Sequence, residues 1–399
     1  MRSSSLAIAV VGGILGLATS ARADEGRLHV IVCFNGAEDP ALFARSGGTA
    51  SLRLERAHAV SGTLPAAAIE KVRNLPEVAY VAEDAVAEIQ GKVSAQGKPG
   101  PAQPSQSTPW GIHRIGADSS WYASTGRGVR IGVVDTGIDG THPDFKDASG
   151  ASRVVLGATF VSGTATAKDD NDHGTHVAGT MGASNNAIGV VGVAPECTPV
   201  AVKVLDRHGS GYYSAIVAGI DWAVANGCQV ISMSLSGTAD VQALRDACDR
   251  ADAAGVVVVA AAGNSGDSTP NYPGAYPSMI CIGATDSADR RATFSTTGPQ
   301  VDLAAPGVAV LSTVRGGGYA SWDGTSMATP HVSGSAALAL ASGRYADANG
   351  NGRVNDEVRA ALEATANDVN AATLPGRDDQ MGNGLVDAQE AATGLPTFP

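Results

Sequence analysis

Val129-Arg130-Ile131-Gly132-Val133-Val134 is an apolar run interrupted by a single charge and a glycine, and it stops at Asp135-Thr136-Gly137. Three later stretches repeat the pattern. Val200 to Leu205 stops at Asp206, Val230 to Met233 stops at Ser234, and Val256 to Ala262 stops at Gly263-Asn264. Short, nearly continuous apolar runs of this kind read as parallel strands buried on both faces. Helical stretches at Val177 to Met181, Ser214 to Ala225 and Val241 to Ala254 lie between them. Strand and helix in alternation predict an α/β fold with a three-layer, doubly wound, mostly parallel sheet. In such a sheet ligands bind beyond the carboxyl ends of the strands, where Asp135, Ser234 and Asn264 fall.

Three segments carry chemistry. Asp135-Thr136-Gly137 closes the first strand, Asp172-His173-Gly174-Thr175-His176-Val177-Ala178-Gly179 opens a helix, and Gly324-Thr325-Ser326-Met327-Ala328-Thr329-Pro330-His331 opens another. A serine hydroxyl is a poor nucleophile until an imidazole takes its proton. That imidazole in turn needs a carboxylate on its other nitrogen. Asp135, His173 and Ser326 supply these three groups. Ser326 at a helix start has backbone N–H groups and a favourable dipole beside it, so its own amide is one candidate oxyanion donor. Asn264 is the second, because a neutral side-chain amide can face a developing oxyanion without titrating.

The strand ending Asp135-Thr136-Gly137-Ile138-Asp139, the block Asn171 to Thr180, the stretch Ala261-Ala262-Gly263-Asn264 and the run Gly324 to Pro330 together resemble the four signatures of the subtilisin-like serine proteases, in that family's Asp, His, Asn, Ser order. The resemblance runs from about Gln106 to about Ala391. It implies a subtilisin-like peptidase domain over 105–399, with Asp135 as the orienting acid, His173 as general base and acid, Ser326 as nucleophile and Asn264 as oxyanion donor. It also implies protein or peptide substrates bound as an extended strand between Gly209-Ser210-Gly211 and Ser234-Leu235-Ser236, an instance of strand addition. The P1 side chain, on the acyl side of the scissile bond, would enter a pocket walled by Ser234 to Ser236 and Ala261, Ala262 and Gly263. No wall residue is charged, so apolar or aromatic P1 residues are expected. Ser236 stands where many relatives carry Gly.

The run Ser184 to Val190 resembles the family's calcium loop, with Asp144 and Gln106 at its other ligand positions. The resemblance implies a structural Ca2+ held by Gln106, Asp144, Asn186 and carbonyls of Ser184, Ile188 and Val190, all oxygen donors suited to a hard cation. A second candidate loop spans Asp347-Ala348-Asn349-Gly350-Asn351-Gly352-Arg353, with oxygen groups at alternate positions and Gly at the sixth. It departs from an EF-hand loop at the twelfth position, Val358, so Ca2+ at Asp347, Asn349 and Asn351 competes with a plain Asx-rich turn. Zinc at His173 and His176 is discounted: no glutamate lies between them and no third ligand is near.

Upstream, residues 24–104 read as a propeptide with its linker, the compact part spanning about 27–89. It has an apolar strand at His29 to Phe34, a helix from Ala66 to Leu75 and a second strand at Val78 to Val81. This small α+β unit resembles, more weakly, the family's inhibitory propeptide, with Val86 to Ile89 as the expected product-like tail. Lys92 to Pro109 holds four prolines among Gly, Ser and Gln, the composition of an extended, cleavable linker. Residues 1–23 have the layout of a signal peptide: Arg2, an apolar stretch from Leu6 to Ala18, and a small-x-small site at Ala21 to Ala23. That stretch is too short for a membrane span. A secreted monomer inhibited by its own propeptide, with no stable membrane association, is the expectation.

Composition agrees. The chain has 399 residues, 44% hydrophobic and 17% charged, enough apolar material to exclude a disordered or coiled-coil protein. The net charge of −12 falls entirely after residue 104 and argues against a nucleic-acid binder working through a basic face. Cys33 would leave with the propeptide, while Cys197, Cys228, Cys248 and Cys281 remain. An even number in an exported chain predicts at least one disulfide, of undetermined pairing. An aspartic protease would use Asp-Thr-Gly, but needs two carboxylates sharing a proton, so a chain with one such tripeptide would have to act as a homodimer. An esterase would show a Gly-x-Ser-x-Gly elbow, which Gly324 to Ala328 lacks. An inactive binding protein of the same fold would not be expected to keep all four catalytic positions.

Overall fold

The computed structural model describes residues 26–89 and 103–397. The signal-peptide reading and most of the linker lie outside them. Seven strands form one sheet in the order Leu303–Pro306, Ile280–Thr285, Val257–Ala261, Val230–Met233, Arg130–Asp135, Thr198–Lys203, Val155–Thr159. Every neighbouring pair runs parallel. The period of two along each strand divides the core into two layers. Ile131, Val133, Val257, Val259, Ile280 and Ile282 face one layer with the helices His173–Gly182 and Thr325–Ala341. Val134, Val200, Val202, Ile231, Met233 and Val258 face the other, with Tyr213–Ala225 and Gln242–Ala253. Burial on both faces is why the runs read as unbroken apolar sequence.

The N-terminal unit is an antiparallel sheet in the order Thr49–Leu54, Ala59–Pro65, Arg27–Phe34, Val78–Glu83, with the helix Ala66–Arg73 beside it. Val30, Val32, Phe43, Val60, Leu64 and Val72 give it a core of its own. The opposite face of the sheet, through Ile31, Cys33, Leu54 and Ala59, joins the apolar layer of helices Tyr213–Ala225 and Gln242–Ala253. Polar contacts fix the docking. Asp84 caps the helix Tyr213–Ala225, accepting from Ser214 N at 2.8 Å and Ser214 Oγ at 2.7 Å, and Tyr80 Oη donates to Asp246 Oδ2 at 2.7 Å.

The disulfide expectation is overturned: Cys33, Cys197, Cys228, Cys248 and Cys281 are all free and buried. Their sulfurs occupy separate places. Cys197 Sγ lies against Gly182, Cys228 Sγ against Gly132 and Cys281 Sγ against Gly274, while Cys248 sits inside the helix Gln242–Ala253. Each serves as a small apolar filler. Burial pushes the Cys197 and Cys228 thiols up to about 11, so they are held as unreactive SH groups. Among the described residues no helix is long and apolar enough to cross a membrane.

Candidate active site

Asp135 ends the central strand Arg130–Asp135, and His173 begins the helix His173–Gly182. Both are buried, and His173 Nδ1 lies 2.9 Å from Asp135 Oδ1 and 3.0 Å from Oδ2. A carboxylate can only accept, so the proton of the neutral imidazole is on Nδ1 and the lone pair on Nε2. Asp172, just before His173, has a left-handed backbone with φ of 101°. That conformation is costly for a residue other than glycine, and Arg315 holds it through its Nε at 2.8 Å and its backbone N at 3.1 Å from Oδ1.

Ser326 lies in the first turn of the helix Thr325–Ala341 and is fully buried. Its Oγ donates to Ser234 O at 3.0 Å, and Ser234 Oγ returns a bond to Ser326 O at 2.9 Å. His173 Nε2 is buried with no hydrogen-bond partner, so the expected bond between Ser326 and His173 is not formed in this structure. A hydroxyl has one proton, and here it is on the Ser234 carbonyl. Rotation about the Ser326 Cα–Cβ bond frees it for another acceptor. Asn264 Oδ1 accepts from Thr325 N and Thr325 Oγ1, both at 3.0 Å. With its oxygen so engaged, the Asn264 NH2 group is left to donate.

The sequence reading missed Asp169. This carboxylate is 3% exposed. It accepts from Thr136 Oγ1 at 2.9 Å, Thr175 Oγ1 at 2.6 Å, Thr175 N at 3.1 Å, Asn171 N at 2.8 Å and Asp172 N at 3.1 Å. Thr136 Oγ1 in turn accepts from Gly174 N at 2.9 Å. Asp169 therefore ties the residue after Asp135 to the two residues flanking His173. Lys203 adds a second tie, its buried Nζ donating to Thr136 O and Leu205 O at 2.7 Å and Asp170 Oδ1 at 2.6 Å. A lysine within the apolar run Val200 to Leu205 was the available signal, because a buried ammonium needs partners.

The expected substrate walls are brought together around a strand of the chain itself. Val86–Ile89 lies between Ser210–Tyr212 and Leu235–Ser236, antiparallel to both. Ile89 pairs with Leu235, Glu88 with Ser236 and Ser210, and Ala87 with Gly211. Ile89 N also donates to Gly209 O at 2.9 Å. A Cβ on Gly209 would stand 2.9 Å from the Ile89 side chain, and its φ is +80°. Glycine is thus required there for both space and conformation. On the other side Ala261, Ala262 and Gly263 are buried at the end of Val257–Ala261, and Gly263 N donates to Thr325 Oγ1 at 3.3 Å.

The oxygen-rich loop also assembles. Asp144 is fully buried and in no ion pair among the described residues. Val190 N donates to its Oδ2 at 2.9 Å and Asn186 Nδ2 to its Oδ1 at 3.2 Å. Gln106 Oε1 accepts from Asn186 N at 2.5 Å, and Ser184 N donates to Asp144 O at 2.7 Å. Isolated bridges join Ser105 to Ile188 and Ser107 to Val190. Burial pushes the Asp144 carboxyl up, because taking a carboxylate out of water disfavours its charged form. In the second loop both Asp347 oxygens accept backbone N–H groups of Gly350, Asn351 and Gly352. Asn349 and Asn351 donate to Asp356. Among the described residues no three His, Cys, Asp or Glu side chains cluster as metal ligands.

Residues 126–384 match the subtilase family of peptidases. The chain belongs to the subtilase family. It is 42% identical over 358 residues to subtilisin E of Bacillus subtilis (strain 168), covering 88% of this chain and 85% of that protein. It is 47% identical over 294 residues to a subtilisin of Bacillus pumilus, covering 72% and 99%. A thermostable alkaline protease of Halalkalibacterium halodurans is 44% identical over 288 residues, covering 72% and 74%. As a subtilase the chain is a serine endopeptidase that hydrolyses protein substrates. The aspartic-protease, esterase and binding-protein readings find no support, and the single Asp-Thr-Gly carboxylate faces an imidazole, not a second carboxylate.

If Asp169 sets the relative position of Asp135 and His173, Asp169→Ala will lower kcat on a short peptide by roughly 100-fold with little change in KM, as small misplacements of reacting groups do. Steady-state kinetics check this, and an unchanged kcat would show that the tie is dispensable.

Proposed function

We propose that this subtilase is a secreted, self-inhibited precursor that matures by cutting itself, with Ser326 as nucleophile, His173 as base, Asp135 as orienting acid and Asn264 as oxyanion donor. The observation that carries the reading is the buried Asp135–His173 contact, with the proton of the neutral imidazole on Nδ1 and its Nε2 left as the base. In the first step Ser326 Oγ attacks the substrate carbonyl carbon and its proton passes to His173 Nε2. Asp135 stabilises the imidazolium that forms. The oxyanion is met by the Asn264 NH2 group and by the N–H groups at the helix start. His173 then gives the proton to the leaving amine, and water cleaves the acyl-enzyme by the reverse sequence. The uncharged walls Ser234 to Ser236 and Ala261 to Gly263 suit apolar or aromatic P1 side chains.

Residues 24–104 act in this reading as propeptide and linker, 105–399 as the peptidase, and 1–23 as the export signal of a protein that works as a monomer. Support comes from Val86–Ile89, which pairs antiparallel with both Ser210–Tyr212 and Leu235–Ser236, as a bound peptide strand would. The 88% coverage by subtilisin E also exceeds what residues 105–399 could supply, so the likeness extends into the N-terminal unit. Ser326→Ala is expected to abolish peptide hydrolysis and to leave the N-terminal unit attached, read by intact mass. An active, processed Ser326→Ala protein would contradict the proposal.

Gln106, Asp144, Ser184, Asn186, Ile188 and Val190 are proposed to hold a structural Ca2+, whose charge would offset the buried Asp144 carboxylate. Asp347, Asn349 and Asn351 are the weaker donor set, because Asp347 is already saturated by backbone donors. An ion bound at a thousandfold excess over its Kd adds about 4 kcal/mol. Excess chelator should therefore lower Tm by roughly 5–10 °C. Calorimetry with and without chelator checks this, and an unchanged Tm would remove calcium from the account.

A further inference from the structure

We propose that Ser236 reads the P1 side chain through its hydroxyl, so that, within a pocket whose walls otherwise suit apolar and aromatic P1 residues, glutamine and asparagine are taken better than apolar residues of the same shape. The inference rests on the assignment of Ser326 as nucleophile and of Val86–Ile89 as the substrate track.

Register places P1. Leu235 pairs with Ile89 in an antiparallel ladder, so Ser234 faces the next residue of any chain threaded in this track. Ser326 Oγ is 3.0 Å from Ser234 O. The nucleophile thus stands level with the residue one past the Ile89 place, and that residue is P1. Pleat then places the side chains. Ala87 and Ile89 pack into the apolar layer that contains Leu235. Successive side chains alternate between faces, and directly opposed residues of an antiparallel pair share a face. Ser236, opposite Glu88, therefore lies on the other face, and so does a P1 side chain, two residues past the Glu88 place. Ser236 and P1 are diagonal neighbours, within reach of a long side chain.

Ser236 Oγ is the unusual group on that face. Ser236 is 3% exposed when the track is filled, and its Oγ has no hydrogen-bond partner. Its neighbour Ser234 is satisfied by Ser326 O. A buried hydroxyl left unpaired is costly, and a substrate that supplies a partner removes the cost. A hydroxyl both donates and accepts, so a primary amide, which does both as well, matches it in either orientation. A methionine or leucine of similar shape leaves it unpaired. Glycine at this position would have no such preference.

The test uses mature enzyme and peptides that differ only at P1, comparing Gln with Met and Asn with Leu. Product masses locate the cut bond. Ser236→Ala and Ser236→Gly should each lower the Gln/Met and Asn/Leu ratios of kcat/KM by about tenfold, the order of one hydrogen bond. Ser236→Thr, which keeps the hydroxyl, should hold the ratios near wild type. Unchanged ratios in both the Ala and Gly variants, or a change that follows the residue two places before the cut instead of P1, would overturn the proposal. Cleavage by wild-type enzyme away from the varied residue would instead count against the substrate track itself.

Discussion

The contact between the Asp135 carboxylate and His173 Nδ1 is the constraint around which the peptidase domain is arranged. It joins the end of a central strand to the start of a crossover helix, and both groups are buried. Burying a carboxylate beside an imidazole that becomes a cation during the reaction is costly unless their hydrogen bonds are fixed. The surrounding polar groups do that fixing. Asp169 collects five donors from the residues around the pair, and Lys203 holds the carbonyl of Thr136. Arg315 steadies the left-handed Asp172. A pre-set imidazole spends little reorganisation energy when the proton moves, which is the physical content of preorganisation.

The cleft uses backbone geometry in the same economical way. Two short strands, Ser210–Tyr212 and Leu235–Ser236, each pair antiparallel with Val86–Ile89, and in the proposed mature enzyme an extended substrate would take that strand's place. The ladder is indifferent to side chains, so it gives affinity without choice. Choice comes from what lies on each face of the inserted strand: the apolar layer beneath Ala87 and Ile89, and the hydroxyl of Ser236 on the opposite side. The same N-terminal unit that supplies the strand also docks its sheet on two helices and caps one of them through Asp84.

Much of this was legible in the sequence because burial on both faces writes itself as unbroken apolar runs. All four strands so identified are present. Val155–Thr159 escaped notice because it is an edge strand with Val155 and Leu156 exposed. Leu303–Pro306 is four residues long, two of them alanine, and carries too little pattern. Asp169 sits in the run Lys168-Asp169-Asp170-Asn171-Asp172, where one buried carboxylate looks like its solvated neighbours. Counting cysteines failed for a different reason: parity says nothing about where sulfurs point, and those of Cys197, Cys228 and Cys281 lie against three separate glycines.

Catalysis in this chain depends on His173 activating Ser326. Inactivating the mature enzyme with a serine-directed phosphonyl fluoride and mapping the adduct by peptide mass tests this most directly. One equivalent on Ser326 is expected, formed in step with the loss of activity. Full activity after treatment, or an adduct on another residue that accompanies the loss of activity, would contradict it.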